Sequence, residues 1–183
     1  MTTTALYVEL IVIGVQVEAW MFILANAFLR ISFEFFELVT DNAFIVILAL
    51  VPAYVLGMMF DRFADKIFYR KELKIKEKSG LHVSSSLLVE ETPKMHEFQL
   101  YTRSKYRVLR ASTLNLPLIT ISIIVNLFLS GSLSYRIGII VFLVGIIFSF
   151  AFYWCSVKTV ENFYHKAHLI EEHHKTVETK KHH

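Results

Sequence analysis

The chain has 183 residues, of which 55% are hydrophobic, and its mean hydropathy is +0.50. Soluble domains are typically about 45–50% apolar, so this composition excludes an ordinary soluble domain and predicts one small membrane protein. The net charge is only +3, and the single cysteine excludes a disulfide within the chain.

Four segments are apolar and long enough to cross a bilayer, which takes about 20 residues. They are residues 7–29, 43–60, 113–131 and 133–156. The first lacks Lys and Arg and contains carboxylates, which argues against a cleaved signal peptide. Only a short turn around Gly131 separates the last two, which predicts an antiparallel helical hairpin. The predicted fold class is therefore all-α, with four transmembrane helices.

The first span contains two carboxylates, Glu9 and Glu18. Nine residues at about 100° each turn a helix by half a circle, so these side chains point in opposite directions. A carboxylate near the middle of a bilayer is costly and usually marks a functional site. We expect Glu18 either to be protonated or to face water or a polar partner.

The basic residues indicate an orientation in the membrane. Residues 61–112 hold twelve Lys and Arg residues and residues 157–183 hold five, whereas the two remaining loops hold only Arg30 and Arg136. This asymmetry places the central loop and the tail in the cytoplasm. Both termini are then cytoplasmic, and the expected location is a bacterial inner membrane.

The central loop has the sequence properties of a helical hairpin. Residues 61–78 contain no Gly or Pro, which predicts that the second span continues out of the membrane until Ser79-Gly80 ends it. Thr92-Pro93 then begins a helix that leads into the third span. The predicted organisation is residues 1–60 for spans one and two, 61–112 for a basic cytoplasmic hairpin, 113–156 for spans three and four, and 157–183 for a cytoplasmic helical tail.

The tail begins with a heptad pattern of Val160, Phe163 and Ala167, which continues through Ile170. Two interpretations remain open at this point. The tail helix either packs on the hairpin or associates with other copies of itself.

Polar residues recur in the spans. Asn115, Ser122 and Asn126 lie within about 20° of one line on the third span, and with Glu18 and Asn26 of the first span they predict a polar line between the two. One interpretation is interhelical hydrogen bonding. Others are a water-filled ion path, within one subunit or around an oligomer axis, and a proton-coupled carrier.

Two basic ridges lie next to the spans, one after the second span and one before the third. The first consists of Arg62, Lys66, Arg70, Lys74 and Lys78 at intervals of four residues, and the second of Arg103, Arg107 and Arg110 with Lys105 beside it. The candidate binding residues are Arg62, Lys66, Arg70, Arg103, Lys105, Arg107 and Arg110. Attraction to anionic lipid headgroups explains such ridges at about 1 kcal/mol per basic residue. The alternative is a pocket for an anionic ligand such as a nucleotide, an oligonucleotide or a phosphoinositide.

Motifs for catalysis are lacking. The sequence contains no glycine-rich phosphate loop and no HExxH motif. Glu161, His165, His168 and Glu172 share one helical face, which is more typical of a solvated surface than of a metal site. We therefore expect no enzymatic activity, no cofactor and no metal.

The fourth span carries Gly138, Gly145 and Ser149 at spacings of seven and four, a small-residue stripe suited to close helix packing. The stripe, the mid-membrane Glu18 and the long helices together favour a homo-oligomeric channel or pore-forming effector gated by a cytoplasmic ligand or partner. The alternative is a non-conducting sensor or scaffold that recruits a soluble cytoplasmic partner.

The layout combines short outer turns, a charged hairpin after Val55-Leu56-Gly57 and Asp61-Arg62, and the sequence RSKYRVLRAS at 103–112. It resembles that of small four-helix membrane subunits of bacterial anti-phage defence systems. The resemblance implies a membrane protein that senses infection, or forms a pore when a signal arrives. The implied partner is a soluble protein or a nucleotide signal made by one.

Overall fold

The computed structural model describes residues 3–29, 43–79, 93–131 and 134–181. It contains four helices there: α1 (Thr3–Leu29), α2 (Ala43–Lys78), α3 (Pro93–Leu129) and α4 (Tyr135–Lys181). Each is long and apolar enough to cross a membrane, as expected of an integral membrane protein. The prediction of an all-α fold with four long apolar helices is therefore confirmed.

Three helices continue well beyond the apolar segments. α2 has 36 residues and ends just before Gly80, where the Ser79 hydroxyl donates a hydrogen bond to the Lys76 carbonyl at 2.6 Å. α3 begins at Pro93, which suits a first helical turn because the N–H that proline lacks has no partner there. α4 is one helix of 47 residues, so the predicted tail is a continuation of the fourth span.

We divide the molecule by composition. The apolar half comprises residues 6–29, 47–60, 113–129 and 135–156, and the charged half comprises residues 61–78, 93–112 and 157–181. In the packing order, α1 contacts α2 and α3, and α3 also contacts α4. α4 is widely exposed along its apolar half, which gives a surface suited to lipid.

α1 and α2 approach each other backbone to backbone. A Cβ atom at Gly14 would overlap the Ala53 carbonyl oxygen, and one at Gly57 would overlap the Leu10 carbonyl oxygen. Small residues at a helix contact allow two backbones to approach this closely, and van der Waals packing then stabilises the pair of helices. Ala53 and Gly57 are four residues apart and so lie on one face of α2.

Two members of the predicted small-residue stripe, Gly145 and Ser149, contact α3 within the same chain. Gly145 lies against the Thr120 side chain. Pro117 lacks the N–H that would bind the Thr113 carbonyl, and the Ser149 hydroxyl donates to that carbonyl at 3.2 Å instead. In a membrane a freed carbonyl needs a protein donor, so Ser149 stabilises the proline-containing segment.

The charged half has its own apolar core. Val160, Tyr164 and Ala167 of α4 are buried and pack against Ile75 of α2 and Phe98 and Tyr106 of α3. The beginning of the heptad pattern thus packs on the other helices of the same chain. The side chains from Ile170 onward lie outside the described residues.

Candidate functional site

A column of polar side chains joins α1 to α3. Glu9, Gln16 and Trp20 lie on the same side of α1, because steps of seven and four residues return to nearly the same direction. The Gln16 amide nitrogen donates to the Ser112 hydroxyl at 3.0 Å, and Asn115 donates to the Gln16 carbonyl oxygen at 3.2 Å. The Trp20 indole N–H donates to the Asn115 side chain at 3.3 Å.

The column continues towards the far end of the apolar half. The Asn126 amide donates to the Ile23 carbonyl at 3.1 Å. Asn115 is 0% exposed and Ser122 is 3% exposed, whereas Asn26 is half-buried. Hydrogen bonds between side chains and burial from lipid are what interhelical packing requires, so the column favours that interpretation over a water-filled path between these two helices.

The structure corrects the position expected for Glu18. We expected it to share a polar line with Ser122 on the third span, but the side of α1 that faces α3 carries Gln16 and Trp20. Glu18 is two residues from each of them and therefore points to roughly the opposite side. Its side chain is partly buried, and no described residue gives it a hydrogen bond or an ion pair.

Glu9 begins a cluster of charges where the apolar and charged halves meet. The Ser104 hydroxyl donates to Glu9, and the Arg107 guanidinium lies 3.8 Å from the same carboxylate. Arg107 also lies 3.6 Å from Asp61 of α2. One guanidinium on α3 therefore faces carboxylates from both α1 and α2.

Arg110 is the most buried cation of this cluster. It is 5% exposed, and its guanidinium lies 2.9 Å from Asp61 and 2.5 Å from Asp65. The Arg110 guanidinium also lies over the aromatic ring of Tyr106, 5.3 Å from the ring centroid. Three carboxylates, counting Glu9, face two guanidiniums, so the cluster carries one net negative charge when all its members are ionised.

Only part of the two basic ridges is accessible to a ligand. Arg62, Lys66, Arg70, Arg103 and Lys105 are exposed, as a binding surface requires. Arg107 and Arg110, which we expected to receive an anionic signal, pair with carboxylates of the same chain instead. The sequence contained a signal for this pairing, since Asp61 and Asp65 are spaced by four residues and Arg107 and Arg110 by three, but nothing in the sequence showed that α2 and α3 would face each other in this register.

A small polar cleft lies in the charged half. It has a volume of about 60 Å³ and is lined by Glu72, Gln99, Thr102, Arg103 and Tyr106, with Tyr164 of α4. Ligand pockets for molecules the size of a nucleotide are typically about 300–1,000 Å³. The cleft is therefore too small for a whole nucleotide.

The described part of the chain contains no cluster of side chains that could bind a metal ion. Within those residues, no three His, Cys, Asp or Glu side chains lie together in a group that could hold a metal ion.

Comparisons of the chain with protein-family models, with curated proteins and with solved structures find no match. The class that the fold defines is that of an all-α integral membrane protein, with four long apolar helices among the described residues.

Proposed function

We propose that this chain forms a homo-oligomeric membrane channel whose ion path runs along the Glu18 side of α1. The observation that carries the proposal is Glu18 itself. It lies within a helix apolar enough to cross a membrane, is partly buried, and points away from the polar column. An acidic side chain at the centre of a membrane helix costs about 2.5–3.5 kcal/mol on insertion scales unless it meets water or a partner.

The two carboxylates of α1 differ in a way that supports this role. Glu9 is bound within the subunit by Ser104 and Arg107, so its charge is compensated. Glu18 has no such compensation from the described residues. Glu18 follows Gly14 by one helical turn, so its side of α1 borders the contact with α2. An oligomer that turns this edge between α1 and α2 towards a water-filled axis would hydrate Glu18 and attract cations to the path. The polar column between α1 and α3 then stabilises each subunit and does not conduct.

Gating is proposed to start in the charged half. α2 and α3 pass without interruption into the apolar half, and the charge cluster joins both of them to α1 through Glu9. A ligand or partner that shifts α2 against α3 would change the ion pairs at Asp61 and so the position of α1. The exposed residues Arg62, Lys66, Arg70, Arg103 and Lys105 are the proposed receiving surface for an anionic nucleotide or a soluble protein.

This proposal includes a location. The excess of basic residues in the charged half favours an inner membrane with the charged half and both termini in the cytoplasm. The resemblance to membrane subunits of anti-phage defence extends the proposal to an effector that responds to an infection signal. No enzymatic activity and no cofactor are proposed.

The test is ion flux through purified protein in liposomes, with and without a panel of anionic nucleotides. We expect Glu18→Gln to change the conductance or the cation preference while the oligomer still assembles. The matched control is Glu97→Gln, an exposed glutamate of the charged half, which should leave both unchanged. An unaltered current in Glu18→Gln would remove this residue from the path.

A non-conducting sensor or scaffold is the second candidate, and the exposed ridge of α2 favours it. Five basic side chains recur every four residues there, from Arg62 to Lys78, on a half of the molecule that has its own apolar core. Such a platform is suited to hold a partner without any ion path. Absence of flux under every condition, from protein shown to be an intact oligomer, would favour this function over the channel.

A further inference from the structure

An open groove lies between α3 and α4 in the apolar half. It has a volume of about 390 Å³ and is bounded by residues 113–121 of α3 and 142–153 of α4. Gly145 sits against the Thr120 side chain within it, and Ile121 and Ile146, both exposed, lie at its rims. Ile146 is 50% exposed, so the groove opens to the surroundings of the protein.

The threonine and serine hydroxyls of the groove already make hydrogen bonds within the protein. Thr113 and Thr120 each donate to the carbonyl four residues earlier, at 2.8 Å in both cases. Ser149 donates to the carbonyl that Pro117 leaves free. The remaining surface is apolar, which suits a hydrocarbon chain and offers little to a polar molecule.

The length of the groove matches one leaflet. At 1.5 Å per residue its walls extend about 12 Å along α3 and about 16 Å along α4. The hydrocarbon core of a bilayer is about 30 Å thick, so one leaflet is about 15 Å deep. The groove ends at Tyr153, where α4 passes into the charged half. Tyrosine is enriched at membrane interfaces, which is consistent with this end of the groove lying at headgroup depth.

A lysine side chain lies at the Tyr153 end of the groove. The Lys71 ammonium of α2 lies 4.1 Å from the centroid of the Tyr153 ring. Among the described residues no carboxylate lies within ion-pair distance of Lys71, in contrast to Lys158, which pairs with Glu161 at 2.7 Å. Lys71 therefore has its charge free for an anionic headgroup.

We propose that this groove is a binding site for an anionic phospholipid, with one acyl chain between α3 and α4 and its phosphate at Lys71. The bound lipid comes from the leaflet on the side of the charged half. The headgroup contacts α2, while the acyl chain contacts α3 and α4. The lipid therefore connects α2 to two helices with which α2 has few direct contacts. This site does not depend on whether the protein conducts ions.

The test is native mass spectrometry of the purified protein with phosphatidylglycerol or phosphatidylcholine of identical acyl chains. We expect phosphatidylglycerol to bind more tightly. Ile146→Trp fills the groove and should weaken the binding of both lipids, whereas Ile147→Trp, at a neighbouring position 64% exposed and outside the groove, should not. Ile121→Phe on the other rim should act like Ile146→Trp, and serves if that variant does not fold.

The headgroup contact has its own pair of variants. Lys71→Gln should weaken phosphatidylglycerol about fivefold, the effect of one basic residue near the surface, and leave phosphatidylcholine unchanged. Lys74→Gln, on the same helix and also exposed, is the control and should change neither lipid.

Three results would overturn the proposal. Equal lipid binding by Ile146→Trp and Ile147→Trp would show that the groove holds no chain. Equal binding of the two lipids by the unaltered protein would show that Lys71 selects no headgroup. Dissociation of an oligomer by Ile146→Trp with no change in lipid binding would show that a second copy of the chain covers the groove.

Discussion

Replacing Arg110 by Met is the sharpest test of the charge cluster, because Met keeps much of the side-chain length and removes the charge. Arg110 is 5% exposed and lies 2.9 Å from Asp61, whose side chain is 14% exposed. Breaking a buried pair by removing one partner costs about 3–5 kcal/mol. Asp61 keeps Arg107 at 3.6 Å, so we expect the lower end, about 3 kcal/mol of unfolding free energy.

The second carboxylate adds little to this loss. Asp65 is 52% exposed at the side chain, and an exposed pair is largely compensated by water. The additional variant Asp61→Asn removes the orphaned charge, and in combination with Arg110→Met it should recover part of the stability. The pair should therefore show an interaction free energy of about 1–3 kcal/mol in a double-mutant cycle.

The assay is unfolding in detergent micelles by titration with sodium dodecyl sulfate, followed by circular dichroism. Arg70→Met is the matched control, because Arg70 is exposed on the same half of the molecule, and it should change stability by less than about 0.5 kcal/mol. A loss of the same small size in Arg110→Met would refute the reasoning that this pair is buried and joins α2 to α3.

Two further predictions concern the helix contacts in the apolar half. Gly57→Leu places a side chain against the Leu10 carbonyl and should destabilise the protein by about 1–3 kcal/mol in the same titration, and a neutral result would show that α1 and α2 separate freely. Asn115→Ala removes the acceptor of the Trp20 indole and one donor to Gln16, and should cost about 1 kcal/mol and shift the Trp20 fluorescence. An unchanged Trp20 spectrum would contradict that hydrogen bond.

The helices were predictable because their causes are local. About 20 apolar residues without a charge excess predict a membrane-spanning helix whatever surrounds them. The end of α2 at Lys78 and the start of α3 at Pro93 lie where the sequence predicts them, since glycine commonly follows a helix and proline suits the first helical turn. The sequence predicted a helical tail after the fourth span, and α4 contains both segments in one helix because no residue between them interrupts it.

The site was predicted only in part. The spacing of Asn115 and Asn126 correctly indicated that both face another helix, but their partners are Gln16, Trp20 and the Ile23 carbonyl. The rotation that turns Gln16 towards α3 also turns Glu18 away from it. Which side of a helix meets which neighbour depends on packing, and the periodicity of one helix leaves that choice open.

By itself the sequence determined that this is an all-α protein with four helices able to cross a membrane, because apolar length and backbone chemistry act within each segment. The tertiary structure alone decided which charges are compensated. Arg107 and Arg110 are equivalent to the exposed basic residues in sequence, yet carboxylates from α1 and α2 enclose them. Ion pairs, the α1–α2 backbone contact and the groove beside Pro117 all depend on how separate helices meet, and that arises only when the whole bundle packs.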